Sequence, residues 1–110
     1  MDQVLLVMTN VPDAAAGDML ARYLVEHQLA ACVNCLPGVK SVYRWQGVLE
    51  EAAEVTLLIK TTRARYPELE AAIKSRHPYQ LPEIIALPIA LGSSDYLDWI
   101  VQGTHKEGHV

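Results

Sequence analysis

Val4-Leu5-Leu6-Val7-Met8 is five apolar residues without a polar break, which predicts a short, fully buried strand. Val11-Pro12-Asp13 then opens a helix, since proline suits the first helical position and an acid favours the positive end of the helix dipole. Met19, Leu20, Tyr23 and Leu24 recur at helical spacing and carry that helix to about Gln28. From Cys32 to Thr61 the pattern turns to strand, with Val33, Val39, Val42, Tyr43 and Trp45, a Gln46-Gly47 turn, then Val55-Thr56-Leu57-Leu58-Ile59. Pro37-Gly38 bends the first of these strands near its start. Tyr66-Pro67-Glu68 opens a second helix with Leu69, Ala72 and Ile73 on its apolar stripe. It stops near His77, because Pro78 disfavours helix in the residue before it. Glu83 to Ala90 reads as an edge strand interrupted by Pro88, and Gly92-Ser93-Ser94-Asp95 caps a last helix holding Tyr96, Leu97, Trp99, Ile100 and Val101.

This order predicts an α+β chain with a ferredoxin-like βαββαβ antiparallel sheet, a long hairpin and an extra C-terminal helix. Both main helices belong on one sheet face, so the other face needs a cover. A continuous strand from Val48 to Lys60 spans roughly 40 Å, whereas a domain of this length is about 30–35 Å across. Part of the hairpin therefore projects, carrying Tyr43 and Trp45 on edges unlikely to stay bare. Uncovered face and projecting hairpin together predict an oligomer built by strand pairing.

The 110 residues make one domain, and 51% hydrophobic content supports a folded core. A net charge of −4 argues against a general nucleic-acid binder, which needs a basic surface. No run of 18 apolar residues predicts a membrane span, and Met1-Asp2-Gln3 does not resemble a secretory leader, so the expected compartment is the cytoplasm.

Candidate chemistry concentrates in Ser75-Arg76-His77-Pro78-Tyr79-Gln80-Leu81-Pro82-Glu83, where two prolines force an extended segment that still carries an imidazole, a phenol and a carboxylate. His77 reads either as a ligand or as a residue that caps the preceding helix. Cys32 and Cys35 have C-x-x-C spacing, but on a strand residues three apart face opposite ways, so buried reduced thiols outweigh a redox or zinc pair. Glu54 and Lys60, six apart, share a strand face, either as edge charges or as the lining of a cleft with Tyr79 and Glu83. Trp45 suits an interface. His105 and His109 have a helical metal-binding spacing but sit in a polar tail. No nucleophile triad, phosphate loop or zinc-protease motif occurs, so no enzymatic activity is expected.

Several segments in fixed order resemble the CutA family of divalent-cation tolerance proteins: Leu29-Ala30-Ala31-Cys32-Val33-Asn34, Ser41-Val42-Tyr43-Arg44-Trp45-Gln46-Gly47, Glu54 with Lys60-Thr61-Thr62, His77-Pro78-Tyr79-Gln80-Leu81-Pro82-Glu83 and Tyr96-Leu97-Asp98-Trp99. The resemblance covers nearly the whole chain. It implies a ferredoxin-like homotrimer linked to copper or another divalent cation, with no established enzymatic activity. The family's metal ligands fall on Met8, Arg76 and His77. Met8 keeps a sulfur suited to Cu(I), and Arg76 cannot ligate. The expected metal set is therefore His77, Met8 and Cys32. The expected ligand pocket is Lys60, Glu54, Tyr79, Glu83 and Trp45. A second reading is a trimer that binds an anionic small molecule between subunits, motivated by Lys60, Arg63 and Arg76 and by fold-level analogy to P-II-type regulators.

Overall fold

The structure, a computed structural model, describes residues 2–105, so His109 lies outside the described residues. The chain runs β1 (Val4–Val11), α1 (Ala14–Glu26), β2 (Cys32–Trp45), β3 (Val48–Thr62), α2 (Tyr66–Arg76), β4 (Ile85–Pro88) and α3 (Ser94–Gly103). The four strands stand in the order β2-β3-β1-β4, each neighbouring pair antiparallel. This is the predicted ferredoxin-like sheet.

Local chemistry sets the element ends. Asp13, in extended backbone, accepts a hydrogen bond from the Ala16 N–H at 2.8 Å and caps α1. Pro12 therefore lies before the helix rather than in its first turn. Gln46 and Gly47 both have positive φ, +50° and +81°, which gives the hairpin turn the twist of its strands. Gly38, at φ +77°, sits in the irregularity between Leu36 and Val39 where β2 bends. His77 ends α2 in extended backbone (ψ 136°), as the residue before a proline must. Strand β4 is shorter than Glu83–Ala90 and lies at the sheet edge, where Pro88 costs no ladder hydrogen bond.

Alternation along the strands divides the sheet into two faces. Val7, Val11, Leu57 and Ile59 point to the side covered by α1 and α2, where Leu20, Leu24, Leu69 and Ile73 complete the core. The reverse face carries Leu6, Met8 and Asn10 of β1, then Glu54, Thr56, Leu58 and Lys60 of β3, with Ile85 and Leu87 opposite Met8 and Leu6 on β4. Helix α3 covers only one end of that face. Val4, Thr62, Ile100 and Thr104 are buried there. The rest stays open, and Ile85 and Leu87 are half exposed. The hairpin projects as predicted. Strand β3 has 15 residues, and the molecule measures 49 × 28 × 22 Å.

Candidate functional site

His77 is held at both ring nitrogens by backbone. The Tyr79 N–H donates to its Nδ1 at 3.1 Å, so the ring proton sits on Nε2, which donates to the Asn10 carbonyl at 2.6 Å. No ring lone pair remains for a metal. The carbonyl of Asn10 lies beyond the Met8–Ile85 pairing, where β4 no longer reaches β1. His77 thus satisfies a sheet-edge acceptor and turns the chain toward the open face.

The three expected metal ligands do not converge. Met8 and Cys32 both belong to the open face, but β3 runs between their strands, with Met8 opposite Leu58 and Cys32 opposite Lys60. Two strand spacings alone separate them by about 9.5 Å, too far for one ion. His77 joins neither. Among the described residues no group of three or more His, Cys, Asp and Glu could hold an ion. Cys32 and Cys35 point to opposite faces, opposite Lys60 and Leu57 respectively, and both are free thiols. Desolvation first, then the Asp18 carboxylate, pushes the Cys35 thiol above its ordinary value. Cys32 has different company: the Lys60 ammonium lies 3.9 Å from its sulfur, and the Tyr96 hydroxyl interacts with it.

Four of the five expected pocket residues do meet. Trp45, Glu54, Tyr79 and Glu83 line a cleft of about 740 Å³ together with Tyr43 and Asn10. Register explains how. Val39 opposes Glu54, Tyr43 opposes Glu50 and Trp45 opposes Val48, so Tyr43 and Trp45 stand on the same hairpin face as Glu54. The 78–83 segment closes the other wall. The Tyr79 hydroxyl donates to Glu54 Oε2 at 2.7 Å, and Asn10 Nδ2 donates to Glu83 Oε1 at 3.4 Å. Lys60 is the exception. Six residues from Glu54, it lies about 20 Å further along β3, where its ammonium donates to the Asn34 side chain. Arg76 is also elsewhere, its guanidinium 3.4 Å above the Tyr23 ring, and Arg63 does not line the cleft. The cations that motivated an anionic ligand are therefore absent from it. Tyr43 and Asn10 were not in the expected site. The hairpin register places Tyr43, and the β1–β3 pairing places Asn10.

Tyr79 is held protonated well above the ordinary phenol value, by desolvation and then by its hydrogen bond to Glu54. Burial and Glu70 push Tyr66 up to about 12. A raised folded-state pKa stabilises the fold at and below the unfolded value of 10.0, and that stability is lost as pH climbs above it. The expected outcome is an unfolding free energy that falls above pH 10 by about 1.4 kcal/mol per pH unit for each such tyrosine. In Tyr79→Phe one such contribution to the slope vanishes, and at neutral pH the variant is less stable by about 1–3 kcal/mol because Glu54 loses its donor. Urea titrations of both proteins at pH 8 and pH 11 measure this.

Residues 5–103 match the family model for the CutA1 divalent ion tolerance protein. The divalent-cation tolerance protein CutA of Thermus thermophilus is 48% identical over 104 residues, covering 94% of this chain and 99% of that protein. Its solved structure superposes with a TM-score of 0.91 at 47% identity, over 93% of this chain and 99% of that one. The chloroplastic protein CutA of Arabidopsis thaliana is 42% identical over 93% of this chain and 56% of its own length. A structure from Archaeoglobus fulgidus described as a periplasmic divalent cation tolerance protein CutA aligns with a TM-score of 0.90 at 33% identity, over 93% and 99% of the two chains.

Proposed function

The chain belongs to the CutA1 divalent ion tolerance protein family, and from that membership we propose a cytoplasmic homotrimer that serves divalent-cation tolerance and meets copper weakly through sulfur on the open sheet face. The observation that carries the metal assignment is the double engagement of His77, which must give up a backbone hydrogen bond before it can ligate. Cys32 is partly accessible on the open face, and a sulfur donor favours Cu(I).

The trimer draws support from the same face. Leu6, Leu58, Ile85 and Leu87 form an apolar surface that neither main helix covers, and the projecting hairpin adds exposed Val42, Tyr43, Val48 and Leu49. Two free, well-separated thiols favour the cytoplasm over an oxidising compartment, although relatives are named for the chloroplast and the periplasm. The family is named for tolerance rather than for a reaction.

Calorimetric titration of reduced, metal-stripped protein with Cu(I) and Cu(II) in parallel tests the metal assignment. Saturable, weak Cu(I) binding is expected. Cys32→Ser should weaken it at least tenfold, about 1.4 kcal/mol, while His77→Ala should change it by less than about twofold, a few tenths of a kcal/mol. The reverse pattern would return the metal to His77 and reject the sulfur site.

A further inference from the structure

We draw no further inference here: the strongest candidate, the cavity of about 400 Å³ between the start of α2 and the end of α3 lined by Asp2, Arg65, Glu68 and His105, carries nothing because its buried guanidinium already donates to the Glu68 carboxylate and to the His27 and Gln28 carbonyls and nothing in the structure shows what would fill it.

Discussion

Leu87→Asp is expected to turn the proposed homotrimer into monomers at micromolar concentration while leaving each monomer folded. Leu87 stands on β4 opposite Leu6, on the open sheet face, and is 51% exposed in the single chain. A substitution at such a site changes the stability of an isolated chain by only about 0.5 kcal/mol. In a closed trimer the same carboxylate would be buried without a partner three times over, at several kcal/mol each, roughly enough to undo association. Sedimentation velocity reads the outcome. Val25→Asp on α1, also exposed but in the helix layer, is the control and should leave the assembly intact. A Leu87→Asp protein that sediments as the parent does would exclude the open face as the contact.

Leu57→Ala should cost about 2–5 kcal/mol, a large fraction of the roughly 5–15 kcal/mol that holds a domain together. Leu57 is fully buried in the middle of β3, opposite Thr9 of β1 and Cys35 of β2, and its side chain lies beside Gly17 of α1. A helix already packed that closely cannot follow the lost methyl groups, so a cavity remains. Leu36→Ala, on the exposed part of β2, should cost less than about 1 kcal/mol. Chemical unfolding at one fixed protein concentration gives both values, since the proposed assembly would make stability depend on concentration. A loss below about 1 kcal/mol for Leu57→Ala would mean that the core lies elsewhere.

The residues that meet at the cleft show how much of the site was legible. Glu54, Tyr79, Glu83 and Trp45 were identifiable because each sits in a segment with an unusual local pattern: a charge within a strand, polar rings between prolines, a tryptophan before a tight turn. Lys60 was misplaced for a geometric reason. Equal strand parity assigns a common face but says nothing of distance along it, and six strand residues span about 20 Å. His77 divided similarly. Its position before Pro78 shows in the sequence, and so does the role of ending α2. The acceptor for its Nε2 is 67 residues away in the chain, and no local pattern identifies it.

Sequence by itself determined the element order, the hairpin that outgrows its domain, the bend at Pro37-Gly38 and the opposite facing of Cys32 and Cys35. Each follows from periodicity, from backbone restriction by proline and glycine, or from rise per residue, all of which act within a few residues. Tertiary structure alone decided which face α3 covers, which groups engage the His77 ring nitrogens and which residues line the cleft. Those outcomes depend on strand register and on partners such as Tyr79 and Glu54, 25 residues apart, or Glu83 and Asn10, 73 apart. Contacts of that kind form only when the whole sheet closes, because the entropy lost in joining distant segments is offset by the core as a unit rather than by any one pair.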